Sequence, residues 1–362
     1  MLPFDLESVE FTSLQQFLTE HAADLDDDTA WPNEQLSHMA DAGVLGWVVP
    51  QEYGGAEINA EQLTQGYERL SESCLTTTFV LTQRNGACQR IAIAERDELK
   101  RELLPGLCTS DVFATVGISH LTTSRQHIGK PAVRVEQQGS HFVFDGIIPW
   151  VTGAKHADWI ITGGTCDDGR QVLAALPATA SGVTVCEPVK MLSMTASQTG
   201  AVQLERVEID AKYLIAGPVE GVMKQGRGGG TGSVATSALA LGTAVGALSR
   251  LQAEAENRPD LIEIHASLNV EREAISRDMY TVVRGEKTDD TLNVTTEAVR
   301  QRANSLVLRS TQALLAATKG AGFVQGHPAE RAVREAMFFL VWSCPQPVLT
   351  AALREFACLV DG

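Results

Sequence analysis

Residues 113–164 read FATVGISHLTTSRQHIGKPAVRVEQQGSHFVFDGIIPWVTGAKHADWIITGG, and this stretch decides the fold class. Two apolar runs, 113–119 and 159–163, flank an alternating run, 133–144, and a short segment ending in Pro-Trp-Val-Thr. Runs rich in Val, Ile, Phe and Thr, bounded by Gly, Pro and Ser, read as strands because such side chains pack well on a pleated surface. Gln138-Gly139-Ser140, between two alternating arms, reads as a hairpin turn. Further strands follow at 172–176, 183–185 and 201–209, the last with a one-residue shift of its alternation between Leu204 and Val207. The middle of the chain, 111–225, is therefore a β domain.

On either side the period becomes helical. In 1–110, Leu14, Phe17 and Leu18 fall at helical spacing; Trp31-Pro32 suits a helix entry, and Leu36, Met39 and Ala40 share a face that Gly43 ends. Windows 60–74 and 75–93 follow, the second almost uncharged until Arg84 and so expected to be buried. A charged window, 96–104, stops at Pro105-Gly106. Tyr53-Gly54-Gly55 reads as a tight turn that needs positive φ.

From 233 onward no strand signal occurs. Windows 233–256, 261–284, 290–318, 329–342 and 348–359 read as helices, with breaks at Pro259 and at Gly320/Gly322. Long helices with short joints predict an antiparallel bundle over 226–362. Its first helix has a small-residue face, Ala238, Gly242 and Gly246, read as a close helix contact that favours a homodimer or homotetramer. Five glycines lie within Gly226-Arg227-Gly228-Gly229-Gly230-Thr231-Gly232. Their spacing matches neither a Walker loop nor a dinucleotide fingerprint, so the run reads as a linker rather than a phosphate cradle.

Composition narrows the function classes. At 362 residues, 44% hydrophobic and 20% charged, the chain has the make-up of a globular protein of two or three domains. A net charge of −16 argues against a nucleic-acid partner. The seven cysteines are dispersed, without Cys-x-x-Cys or metal spacing, which points to reduced thiols, no metal and a cytoplasmic setting. No signal peptide and no membrane span is expected.

Residues 113–164 resemble the middle domain of the acyl-CoA dehydrogenase family, and Gly46 to Gly55 resembles that family's turn between two N-terminal helices, Pro50 and Tyr53-Gly54-Gly55 matching. The resemblance implies an α+β fold with an N-terminal helical domain, a central β-barrel-like domain and a C-terminal antiparallel helical bundle. It also implies FAD. Trp150, Val151 and Thr152 match the family's Trp-Ile-Thr beside the flavin. Ser119, Thr122 and Ser124 keep only the hydroxyls of its flavin loop, and His120 is foreign to that loop. Arg258, Gly320 and Gly322 are what remains of two bundle motifs for the dinucleotide, with Lys319 a further cation there. Where the family carries an Arg near the thioester entrance, this chain has Met194.

The family removes the proton α to a thioester, using a Glu that follows an aromatic in the bundle. Counted from Arg334, Ser343 stands at that position. In members that carry the Glu on the first bundle helix, the matching residue is Thr236. Neither hydroxyl takes an α-proton unaided. Ser343 and His120 are accordingly the catalytic candidates, with Cys344 a possible thiol and Glu335 another carboxylate nearby. Three expectations follow: an FAD-dependent acyl-CoA oxidoreductase of fatty acid metabolism, with an electron-transfer flavoprotein as possible acceptor; a flavin monooxygenase or oxidase on this fold; or a catalytically silent acyl-CoA-binding or assembly paralogue.

Overall fold

The computed structural model describes residues 4–122, 130–224, 234–286, 294–342 and 344–359. The N-terminal helices are α1 (Val9–Glu20), α2 (Asn33–Asp41), α3 (Ala60–Ser73), α4 (Leu75–Ala92) and α5 (Asp97–Leu103). Local chemistry sets their ends. The Ser8 hydroxyl accepts the Phe11 N–H at 3.2 Å to open α1. At α3, Asn59 and Gln62 exchange side-chain and backbone bonds at 2.9 and 3.0 Å, a reciprocal cap. In Tyr53-Gly54-Gly55 both glycines are required: Gly54 has φ +90°, and a Cβ on Gly55 would fall 1.8 Å from the Val49 carbonyl oxygen.

The middle segment contains β1 (Ala114–Gly117), the one-turn helix α6 (Ser119–Thr122), β2 (Val133–Gln138), β3 (His141–Val151), β4 (Trp159–Cys166), β5 (Gln171–Pro177), β6 (Val183–Val185), β7 (Gly200–Asp210) and β8 (Leu214–Val219). They form one eight-stranded sheet in the order β6-β7-β3-β2-β4-β5-β8, with β1 beside β4. β1 and β2 both run parallel to β4, along different halves of it; the other pairings are antiparallel. β4 and β5 are buried on both faces, which is why they read as continuous apolar runs. The shift seen in β7 is a bulge. Phe144 faces Val207 and Gly146 faces Leu204, so β7 holds one extra residue, with Arg206 at φ +50°. One apolar cluster joins α4 and α5 to β1, β4 and β5, and another fills the inner face through Phe142, Phe144, Ile148, Leu176 and Val202.

The bundle holds α7 (Val234–Ala255), α8 (Ile262–Arg284), α9 (Thr296–Gly322), α10 (Pro328–Ala336), α11 (Phe338–Val341) and α12 (Gln346–Phe356). It shares a core with the N-terminal helices: Leu18, Met39, Leu45 and Leu70 pack in one cluster with Leu239, Leu241, Met279, Val307 and Phe339.

Several expectations change. β8 was not foreseen, because Gly217 and Pro218 argue against a strand; it lies at the end of the sheet order, where a strand proline is tolerated. α9 breaks at Lys319 (φ +54°), one residue before the expected glycines. Window 329–342 divides at Met337 into α10 and α11. By length and composition alone α7 is apolar enough to cross a membrane, but 67% of its apolar window is buried inside the protein, as in a core helix. Its small-residue face also serves inside the chain. A Cβ on Gly242 would lie 2.0 Å from the Glu68 oxygen of α3, and one on Gly246 2.7 Å from the Glu72 oxygen. The face therefore seats α7 on α3 and carries no argument for an oligomer.

Candidate functional site

The sheet brings two of the sequence candidates together. α6 packs on β3, and Gly117, just before α6, is so close to β3 that a Cβ would meet Ile148 at 2.8 Å and Val151 at 2.9 Å. Ser119, His120 and Thr122 thus stand at the same sheet end as Trp150, Val151 and Thr152. Ser124 lies outside the described residues.

The end of β3, at Val151, divides the triplet. Trp150 is 42% exposed, while Val151 and Thr152 are buried. The Thr152 hydroxyl is 3.0 Å from that of Thr199, which is 2.8 Å from that of Ser197, a chain of hydroxyls inside the protein. The Gly153 N–H donates to the Ser197 carbonyl at 2.9 Å. Gln198 donates from Nε2 to the carbonyls of Asp28 and Ala30 at 3.1 and 2.9 Å. Residues 194–199 are consequently clamped between β3 and the N-terminal helices, and Met194 is buried.

His120 is buried, with Nε2 2.9 Å from the Gly163 carbonyl oxygen of β4. Burial holds its pKa below the ordinary imidazole value, with the Gly163 bond opposing. The neutral ring donates Nε2–H to Gly163, so Nδ1 is left as an acceptor. Among the described residues, neither that Nδ1 nor the Ser119 hydroxyl, both buried, has a partner. The Thr122 hydroxyl is satisfied by the Ser119 carbonyl at 3.2 Å.

The bundle candidates form a separate group. Arg258 donates from Nη1 to the Ala317 carbonyl at 2.7 Å and pairs with Asp260 at 2.9 Å. It closes the end of α9 just ahead of the Lys319 kink. A Cβ on Gly320 would meet open space, whereas one on Gly322 would strike the Thr318 hydroxyl at 1.8 Å. Arg258, Lys319, Gly320 and Gly322 are thus neighbours at one bundle end, but the arginine is already committed within the chain.

Ser343 lies outside the described residues; Trp342, the residue before it in sequence, belongs to an aromatic cluster. Trp342 stacks on Phe338 at 5.4 Å, and Phe79 of α4 meets both rings edge-on at 4.7 and 4.9 Å. The Trp342 carbonyl accepts from Nη2 of Arg300 at 3.1 Å. Arg300 is buried with Nε and Nη1 unpartnered, and desolvation pushes it down to about 10. The Cys344 thiol is raised by burial, with Arg300 pulling the other way. Thr236 is buried. One helical turn before Phe79, the Thr76 hydroxyl donates to Glu335 at 3.2 Å, and burial raises that carboxyl above its usual range. Glu335 lines a cavity of about 40 Å³ with Cys74, Thr243 and Arg331. Sequence reasoning missed Thr199, Phe79, Phe338 and Arg300, because each matters through a contact across the chain. Among the described residues no His, Cys, Asp and Glu group could hold a metal ion.

A family model for "Acyl-CoA dehydrogenase, N-terminal domain" matches residues 11–111. "Probable acyl-CoA dehydrogenase YngJ" of Bacillus subtilis is 24% identical over 248 residues, covering 67% of this chain and 65% of that protein. The chain is thus similar to acyl-CoA dehydrogenases, with that family's N-terminal domain matched over residues 11–111. Its alignment with that relative spans slightly less than two thirds of the relative's length. The fold matches along almost all of the chain. A glutaryl-CoA dehydrogenase from Mycobacterium smegmatis, solved with FADH2, superposes with a TM-score of 0.79 at 18% identity, covering 95% of this chain and 93% of that one. The prolyl acyl carrier protein oxidase AnaB gives 0.77 at 16%, covering 97% and 99%. So acyl-CoA dehydrogenase architecture accommodates a dehydrogenase and an oxidase on one fold.

Proposed function

We propose that this chain is an FAD-dependent oxidoreductase acting on an acyl thioester. The observation that carries the reading is the unpartnered Ser119 hydroxyl and His120 Nδ1 at the same sheet end as the half-exposed Trp150. A flat isoalloxazine with a polar pyrimidine edge suits that set: an aromatic face for Trp150, acceptors for the serine, and a ring N–H for the histidine acceptor. Thr152 and Val151 would bound the same ring. At the other end Lys319 and Gly320 would meet the pyrophosphate, with Arg258 and Gly322 holding the kinked backbone in place.

The chemistry supplied by bound FAD is acceptance of a hydride from the substrate β-carbon. The protein's share is to orient, exclude water and receive the α-proton. The hydroxyl chain from Thr152 to Ser197 fixes the end of β3 without access to water. Ser343 supplies no base of its own, which leaves Glu335 as the proton acceptor while the flavin occupies the single lone pair of His120 Nδ1. Slow dehydrogenation follows, with little anaerobic flavin bleaching by straight-chain acyl-CoAs. The serine at 343 also favours a second reading, in which flavin and dioxygen carry the oxidation, or in which the chain binds acyl-CoA without turnover. An electron-transfer flavoprotein is the acceptor in the first reading. A homodimer or homotetramer in the cytoplasm is proposed, its contact supported by exposed Ile262, Ile264 and Val270 on α8 and Leu353 and Phe356 on α12.

Replacing Thr152 with valine tests the site. Thr152→Val is expected to lower FAD occupancy, read as flavin absorbance per protein, and to cost about 1 kcal/mol of stability through the Thr199 contact. Thr199→Val removes the same contact from the other side and serves as the control. Equal flavin content in the parent and Thr152→Val removes Thr152 from the site.

A further inference from the structure

The joint between α3 and α4, the middle of α7 and the start of α10 meet around a cavity of about 40 Å³. Arg331 of α10 and Arg250 of α7 both line it. Arg331 is 9% exposed, and among the described residues its guanidinium makes no hydrogen bond and no ion pair. None of its nitrogens is among the fully enclosed unpartnered atoms. The Cys74 thiol, the Glu335 carboxyl and Arg250 all feel its charge, and all three belong to the cavity wall. The guanidinium is thus held against the cavity with its donors unspent. Arg250 is exposed, likewise without a hydrogen bond or ion pair, and borders the cavity from the solvent side. Two cations side by side, one of them buried and unbonded, are costly unless something from outside the chain takes their donors.

The start of α4 adds to the same field. Ser73, Cys74 and Leu75 line the cavity, and Cys74 precedes this 18-residue helix without a side-chain cap. The first N–H groups of a helix carry a partial positive charge. Glu72 and Glu335 are the acids of the wall. Burial is the first cause that raises both carboxyls, which favours their neutral form, and Glu335 accepts the Thr76 hydroxyl at 3.2 Å. The two guanidiniums and the helix end therefore set the sign of the cavity. One water needs about 10–15 Å³, so the space suits about three waters or one compact polyatomic ion.

We propose that this cavity binds one inorganic oxyanion of phosphate size, held between the guanidinium forks of Arg331 and Arg250 at the N-terminus of α4. Planar forks match paired oxygens on one centre, and a helix N-terminus favours the same charge. The bound anion ties α7 and α10 to the joint between α3 and α4. The site shares only Glu335 with the proposed reaction and needs no flavin.

The test is calorimetric titration of the full chain with inorganic phosphate, at constant pH and at an ionic strength held with sodium chloride, with and without FAD. The parent is expected to bind one phosphate per chain saturably, with the same isotherm in both conditions. Arg250→Met, a change at an exposed and unbonded residue, is expected to keep the fold and to bind at least about tenfold more weakly. Arg331→Met is expected to lose at least as much. Absence of saturable phosphate binding by the parent, which leaves the cavity to water, overturns the proposal. An unchanged isotherm in Arg250→Met overturns it too, as does displacement of phosphate by FAD, which places the anion at the flavin site.

Discussion

The two ends of the proposed cofactor site differ in how their polar groups are spent. At the sheet end, Ser119 and His120 keep buried atoms without partners beside an exposed tryptophan. At the bundle end, Arg258 is consumed by Ala317 and Asp260. A protein seldom leaves buried hydroxyl and imidazole atoms unsatisfied unless something else satisfies them. On the proposed reading, the contrast teaches that the sheet end keeps open polar groups for a flavin ring, while the bundle end has already spent its arginine within the chain.

The change with the largest expected effect restores the lost group. Ser343→Glu places a carboxylate after the aromatic cluster, and a positioned base is worth about 10²–10⁴-fold. Anaerobic flavin bleaching by a straight-chain acyl-CoA, followed by stopped flow, should accelerate by at least about 10²-fold. No acceleration despite bound FAD would show that the aromatic cluster, and not the missing base, limits the reaction.

A smaller effect is expected at Glu335. Burial is the first cause of its raised pKa, so the folded state holds the proton more tightly than the unfolded state does. The stability this contributes is fully present below the ordinary glutamate value of 4.5 and is lost as pH rises through the folded value. Glu335→Gln should therefore flatten the decline of stability between mildly acid and neutral pH, measured by urea unfolding at several pH values. An unchanged slope would mean that Arg331 neutralises the carboxylate fully. If the same variant also slows flavin bleaching while its flavin content is unchanged, Glu335 is the proton acceptor.

The smallest effect sharpens the comparison itself. Arg258→Ala is expected to cost about 1 kcal/mol, the worth of a partly exposed hydrogen bond to the end of α9, and to leave flavin content near that of the parent. Flavin loss larger than in Thr152→Val would reverse the contrast between the two ends.

The fold was largely legible in the sequence because its signals are local. The extra residue in β7 appears as a broken alternation between Leu204 and Val207, and Tyr53-Gly54-Gly55 marks a turn that needs both glycines. β8 escaped because its Gly-Pro pair obscures a strand that lies at the end of the sheet. The site was legible only in part. Trp150 and Thr152 announce themselves by motif, but the partner of Thr152 is Thr199, 47 residues away. The face of Ala238, Gly242 and Gly246 shows the opposite hazard. Its pattern specifies close packing correctly and says nothing about whether the neighbour belongs to the same chain.

The most direct test of the account is the visible absorption spectrum of the purified protein after incubation with FAD and removal of the excess. The account requires flavin bands at close to one FAD per chain, retained in Arg258→Ala and diminished in Thr152→Val. A colourless protein that takes up no FAD would contradict it, because the unpartnered atoms of Ser119 and His120 would then serve something other than a flavin.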